Sequence, residues 1–164
     1  MSAPLKRRIR KASEADLDVV RSITADAYLP YEATIGVVPI PALEDYRPRI
    51  ARGEVWLLEG DDGIAGLIVL EEKLDHVLIY SVAVRPDLHG RGHGRRLLNF
   101  ADQRAREIGM AEVRLYTNQR MVRNIEIYER SGFAVTGTRA HPTRAGHVVV
   151  DMAKRINPPT TIPD

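Results

Sequence analysis

Residues 82–96 read Val-Ala-Val-Arg-Pro-Asp-Leu-His-Gly-Arg-Gly-His-Gly-Arg-Arg, and they carry the most legible chemistry in the chain. Gly90, Gly92 and Gly94 stand at alternate positions. Glycine reaches positive φ without penalty and lets a backbone come close to a ligand. A helical pattern follows at once, offering the unpaired N–H groups of its first turn and the positive end of its dipole. Arg91, Arg95 and Arg96 add fixed positive charge at the same point. Successive amides from Gly90 to Arg95 could satisfy the oxygens of a pyrophosphate, so this segment reads as an anion cradle.

Two other chemistries compete for these residues. His89 and His93 are four apart, the spacing that chelates a metal when both lie on one helix. The interleaved glycines argue against a helix through both, and no third ligand is evident, so no metal is expected. A dinucleotide-binding turn would need Gly-x-Gly-x-x-Gly near an early strand, with an acid about twenty residues later. Here the glycine spacing differs and the loop lies past the middle of the chain.

Bulk composition narrows the classes further. A chain of 164 residues suits one domain able to bury roughly 70 % of its unfolded surface without staples. It has no cysteine, which excludes a disulfide framework, a thiolate zinc site and an acyl-cysteine intermediate. The first eight residues, Met-Ser-Ala-Pro-Leu-Lys-Arg-Arg, lack the apolar core of a secretory signal. The longest strongly apolar run, Val77 to Val84, is too short to span a bilayer. A cytoplasmic protein without membrane attachment is expected. Net charge is +2 and the arginines are dispersed, whereas a nucleic-acid binder shows a concentrated basic face.

The elements that position the cradle follow from periodicity. Lys6 to Lys11 suits an edge strand. Ser13 with Asp16 approximates a capping box before a helix ending ahead of Pro30. Residues 28–41 hold three prolines and a glycine and are expected as a loop, with a second helix over 42–52. Glu54–Glu59 and Ile64–Glu71 form a hairpin across Gly60-Asp61-Asp62-Gly63. Val77–Val84 is a central strand. Arg95–Ile108 is a helix with Gly109 at its end. A strand at Glu112–Thr117, a helix at Val122–Ser131 and strands at Phe133–Thr138 and His147–Ala153 follow. Residues 1–155 make one domain, and 156–164 read as a flexible tail. This mixture of hairpins and crossovers predicts a three-layer α/β sheet protein.

Strand, Val-x-Val-x-Pro, basic glycine loop, helix, strand, and a helix ending Ile-Tyr-Glu-Arg-Ser-Gly-Phe resembles the GNAT N-acetyltransferase superfamily over about residues 5–155. The family's loop usually reads Gln/Arg-x-x-Gly-x-Gly/Ala. Here it is His89-Gly90-Arg91-Gly92-His93-Gly94, which keeps the defining glycines and departs at the first position. The resemblance implies a mixed, mostly antiparallel, twisted sheet of six or seven strands with about four helices. It also implies acetyl transfer from acetyl-CoA, as cosubstrate, to an amine by direct attack in a ternary complex.

The site residues follow from the same resemblance. His89 through Arg95 would hold the pyrophosphate. Val82, Ala83 and Val84 would pair with the pantetheine arm, and the Val82 N–H would polarise the thioester carbonyl. Tyr128 would protonate the departing thiolate; the plainer reading is a half-buried aromatic on a short helix. Asn124, one turn earlier, would serve a CoA amide or simply face solvent. The carboxylate that some members carry at the position of Leu78 is missing, and Glu71, Glu72, Asp75, His76, Tyr80, Ser81 or a water chain remain as base candidates. Tyr28, Tyr31 and Glu32 fall where the family walls its acceptor pocket. They suit a cationic amine, small-molecule or peptide, or else they only pin a loop. Such folds often pair as homodimers, with the last strands as one route. A catalytically silent acyl-CoA-binding or regulatory domain is the alternative.

Overall fold

A computed structural model describes residues 8–157. The start of the expected first strand and residues 158–164 of the expected tail lie outside it. Ile156, expected to open that tail, is instead buried, and its N–H donates to the Ala111 carbonyl at 2.8 Å.

The elements run β1 (Ile9–Lys11), α1 (Leu17–Tyr28), α2 (Glu32–Ile35), α3 (Arg47–Ala51), β2 (Val55–Gly60), β3 (Gly63–Glu72), β4 (Val77–Val84), α4 (His93–Glu107), β5 (Glu112–Asn118), α5 (Val122–Arg130), β6 (Ala134–Ala140) and β7 (Val148–Arg155). The strands form one mixed seven-stranded sheet in the order β1-β2-β3-β4-β5-β7-β6, with β4 and β5 parallel. By contact density the chain divides into two compact units. One takes in the described residues up to Leu70 with Ser81–Leu97; the other takes in Glu71–Tyr80 with the described residues from Leu98.

In the first unit, the Ser13 N–H donates to the Asp16 carboxylate at 2.7 Å, and this capping box opens a 3-10 turn at Glu14–Asp16 that runs into α1. Arg10 bridges Asp16 (2.9 Å) and Glu59 (2.8 Å), and its hydrogen bond holds the Asp16 carboxyl well below the usual carboxylate range. Two expectations fail nearby. The segment 28–41 is not an open loop: a 3-10 turn at Leu29–Tyr31 leads into α2, which Gly36 ends at φ 82°. The helix expected over 42–52 is a 3-10 turn at Ile40–Leu43 followed by the short α3. Pro48 explains the second, since proline is tolerated only in a helix's first turn and so sets α3's start.

Strand β3 is buried at every position from Ala65 to Leu70. A continuous apolar run of this kind marks a strand covered on both faces. Gly66 lets β3 approach β4 closely: a Cβ there would stand 2.7 Å from the Ala83 carbonyl oxygen and 3.3 Å from the Val84 Cα. Gly66→Ala should therefore lower stability by about 1–3 kcal/mol, the usual cost of overpacking. The expected readout is a lower urea midpoint at unchanged m-value. A midpoint equal to wild type would show that the two strands have room to spare.

In the second unit, Val113, Leu115, Val150 and Met152 share one buried face of β5 and β7, and Val149 is buried on the other. The β4–β5 ladder covers only Val77–Val113, Leu78–Arg114 and Ile79–Leu115, whereas β5 stays paired with β7 as far as Asn118. Every residue of β6 is exposed, as suits its place at the end of the sheet order.

Candidate functional site

The backbone of β4 defines the site's geometry. The Arg85 N–H donates to the Ala65 carbonyl at 2.9 Å, and the Ala83 carbonyl faces Gly66, so both residues turn toward β3. Successive residues of a strand direct their N–H and C=O groups to opposite edges. Val82 and Val84 therefore turn theirs to the other edge. Two side chains meet them there: the Tyr28 hydroxyl donates to the Val82 carbonyl at 3.2 Å, and the His89 Nε2 lies 3.2 Å from the Val84 carbonyl. Tyr28 also shares a 2.9 Å hydrogen bond with the Ser81 hydroxyl, which is buried. Val82 and Val84 are half-buried, while Ala83 points into the core.

After β4, a 3-10 turn at Pro86–Leu88 leads into the glycine loop. Gly90 and Gly92 adopt φ 79° and 80°, the left-handed region, and a Cβ on either would meet nothing within 4 Å. Both therefore need glycine for conformation, not for fit inside the protein. The Arg96 N–H donates to the Gly92 carbonyl at 3.1 Å and closes the first turn of α4. The amides of residues 93–95 thus precede the helix ladder and lie at the positive end of the dipole. The helix begins at His93, two residues before the expected Arg95. Gly94 falls inside its first turn, where a Cβ would lie 4.0 Å from Val84 Cγ2. Arg91 and Arg95 are exposed and enter no ion pair among the described residues. His89 is exposed on the turn, whereas the His93 ring is buried, 4 % exposed. What His93 can offer an anion is its backbone amide.

In the second unit, the Tyr-x-x-x-Gly-Phe signature turns out to be a helix stop. The Phe133 N–H donates to the Tyr128 carbonyl (3.0 Å) and the Gly132 N–H to the Glu129 carbonyl (3.1 Å), with Gly132 at φ 98°. These are the paired bonds of a Schellman motif, whose usual apolar contact joins the residues at its two ends. Here that contact is Tyr128 edge-on to Phe133, centroids 6.1 Å apart. The motif fixes the tyrosine's place on α5, and Asn124 stands half-buried one turn before it. The same motif ends α4 at Gly109, with Met110 N–H on the Ala105 carbonyl at 2.8 Å.

The candidate bases are mostly engaged. Glu71 pairs with Lys73 (2.8 Å), Glu72 with Arg104 (2.9 Å) and Asp75 with His76 (2.7 Å), all around the turn joining β3 to β4. The His76 hydrogen bond, with Arg114 nearby, pulls the Asp75 carboxyl below its ordinary value. Ser81 is bound to Tyr28, and Tyr80 is half-buried.

Two features went unread in the sequence. Nothing signals that Tyr28 reaches a strand more than fifty residues away. The second had a signal: Asp102 stands at helical spacing among Leu98, Ala101 and Ala105, and an acid on a buried face needs a partner. That partner is Lys154, at 2.6 Å, whose ammonium also lies 5.9 Å from the centre of the Phe133 ring.

With this geometry in place, the family is clear. Residues 51–135 match the acetyltransferase (GNAT) domain, over half of the chain, and the chain belongs to that family. Among its relatives is the mycothiol acetyltransferase of Propionibacterium freudenreichii, 38 % identical over 60 residues. That match covers 37 % of this chain and 19 % of the relative, so the chain spans about a fifth of that protein's length. The [ribosomal protein bS18]-alanine N-acetyltransferase of Salmonella typhimurium is 31 % identical over 101 residues, covering 58 % of this chain and 68 % of that one. The PaiA N-acetyltransferase of Thermoplasma acidophilum, solved in complex with coenzyme A, matches with TM-score 0.73 at 19 % identity, covering 92 % of this chain and 99 % of that one. At that identity the likeness is one of fold. The α/β fold expected from the resemblance is the fold the chain has.

Proposed function

We propose that this chain is a single acetyltransferase domain that moves an acetyl group from acetyl-CoA to an amine by direct attack. The observation that carries the reading is the glycine loop: Gly90 and Gly92 at positive φ, opening into α4 beside the outward edge of β4. Residues 89–95 hold the pyrophosphate with backbone amides, helped by Arg91 and Arg95. Val82 and Val84 pair with the pantetheine, and Asn124 serves one of its amides. For this pairing, the Tyr28 and His89 contacts on the Val82 and Val84 carbonyls must yield or be shared.

The chemistry needs little from the protein. The amine nitrogen bonds to the thioester carbonyl carbon, the C–S bond breaks, and the nitrogen loses a proton to solvent or to an unassigned base. The Val82 N–H donates to the carbonyl oxygen as charge gathers on it. Tyr128 gives its phenolic proton to the leaving thiolate. With no cysteine in the chain, no acyl-cysteine stage intervenes. No helix among the described residues is long and apolar enough to cross a membrane, in keeping with a cytoplasmic enzyme.

One observation favours a second reading, a silent acyl-CoA-binding domain: the carboxylates near β4 are tied up in ion pairs. A single experiment separates the two. Acetyl-CoA at a hundred times its Kd should stabilise the protein by about 2.7 kcal/mol, which dephospho-CoA and NADH should not match. Free thiol should then appear when amines are added. Stabilisation without thiol release from any amine would establish the silent domain, and no stabilisation at millimolar acetyl-CoA would defeat both readings.

A further inference from the structure

Helix α5, which carries Tyr128, has little of its own to hold it in place. None of its nine residues is buried, and Val122 and Ile127 are 61 % and 43 % exposed. A helix this short depends on packing, since isolated helices below about 12–15 residues are marginal in water. Its anchors are the buried residues just outside it, Met121 before its first turn and Phe133 after its last. Phe133 is the anchor that meets Tyr128, edge-on at 6.1 Å. Whatever fixes Phe133 therefore bears on where Tyr128 stands.

Lys154, on β7, covers that end of α5. Its ammonium lies 5.9 Å from the centre of the Phe133 ring. Its stem lies over Gly132, where a Cβ would stand 3.1 Å from the lysine Cε and 3.4 Å from its Cδ. The ammonium donates to Asp102 Oδ2, on α4, at 2.6 Å, and both side chains are largely sheltered from solvent. The other carboxylate oxygen, Oδ1, is buried without a hydrogen-bond partner among the described residues. Such a pair is a poor device for stability. Desolvation offsets the attraction, most of all with one oxygen unsatisfied, and apolar side chains of similar volume generally stabilise as well or better. What the pair supplies and apolar side chains do not is direction: a short charged hydrogen bond holds the ammonium at one place beside Phe133 and Gly132.

Given Tyr128 as the general acid, the reading on which this rests, we infer that Asp102 and Lys154 are a positioning pair for it. Anchored to α4 by Asp102, the Lys154 side chain clamps Gly132 and Phe133 and so sets where the phenol stands. A catalytic group misplaced by about 1 Å can lose about a hundredfold in rate. Loss of the pair therefore shows in kcat and not in the hold on acetyl-CoA.

The test is the double variant Asp102→Leu, Lys154→Met, which removes both charges and roughly keeps the volume. Lys154→Met alone strands a buried carboxylate and should lower the urea midpoint or fail to fold, whereas the double should fold with a midpoint at or above wild type. Thiol release from acetyl-CoA is followed with phenethylamine, spermidine and Leu-Ala-amide, keeping the best acceptor. The double should lower kcat about tenfold and leave KM for acetyl-CoA within about twofold of wild type. Placed in Tyr128→Phe, the same double should change kcat by less than about twofold, because the donor it positions is already gone. A double with wild-type kcat would overturn the inference and leave Tyr128 as the acid. So would an equal loss with and without the Tyr128 hydroxyl, or a double that does not fold, since either marks the pair as support for the domain at large. If Tyr128→Phe alone matches wild type, the general-acid reading fails and the inference falls with it. Wild-type turnover of none of the three amines would count against acetyl transfer and remove both.

Discussion

Gly92→Ala should weaken acetyl-CoA binding about a hundredfold, or about 2.7 kcal/mol, while costing the empty protein only about 1 kcal/mol. The two effects have different origins. Gly92 sits at φ 80°, and a Cβ there meets nothing within 4 Å, so the folded chain suffers backbone strain but no clash. The strain is relieved if φ turns negative, and that rotation swings the neighbouring amides away from a common centre. An anion held by several convergent N–H groups loses most of them at once. Gly109→Ala is the control: it has φ 77°, nothing within 4 Å of a Cβ, and stands at the opposite end of α4. It should lose comparable stability and no affinity. Calorimetric titration with acetyl-CoA beside urea unfolding gives both quantities for both variants. Equal affinities for the two would remove the glycine loop from the binding site.

Tyr128→Phe should lower kcat between tenfold and several hundredfold, the range of a lost general acid that solvent partly replaces. Stability should fall by no more than about 0.5–1.5 kcal/mol, the net worth of one hydroxyl hydrogen bond. The edge-on contact with Phe133 uses the ring alone, and the Schellman bonds use only backbone. The pH profile distinguishes a proton donor from a merely packed aromatic. A phenol donates only while protonated, so wild-type kcat should decline as pH rises past its pKa, ordinarily about 10. The variant has no such proton to lose and should lack that alkaline decline. Tyr128→Ala completes the series: it should be both slow and destabilised, because it also discards the ring. If Tyr128→Phe matches wild type from pH 6 to 10, the tyrosine serves only to end α5.

The sequence was informative where the decisive physics is local. Alternating glycines before an amphipathic run located the loop and α4 to within two residues, because positive φ and helical periodicity are properties of a few neighbours. Val77–Val84 was legible as a strand for the same reason, as was the stop at Gly132. Local signals failed at Pro48, where apolar periodicity was followed past a residue that restricts where a helix can start. Even at a well-read site, burial was not local. His89 and His93 look alike in the sequence, yet one is exposed and the other lies in the core, since the left-handed residues Gly90 and Gly92 turn the chain between them. Only tertiary structure decided which edge of β4 is open, because that depends on Gly66 seating Ala83 against β3. It also decided that Tyr28 caps Val82, that Lys154 answers Asp102, and that the candidate bases are already paired. Those facts rest on strand order and register between segments far apart in the chain, and no preference of a single residue or its neighbours encodes them.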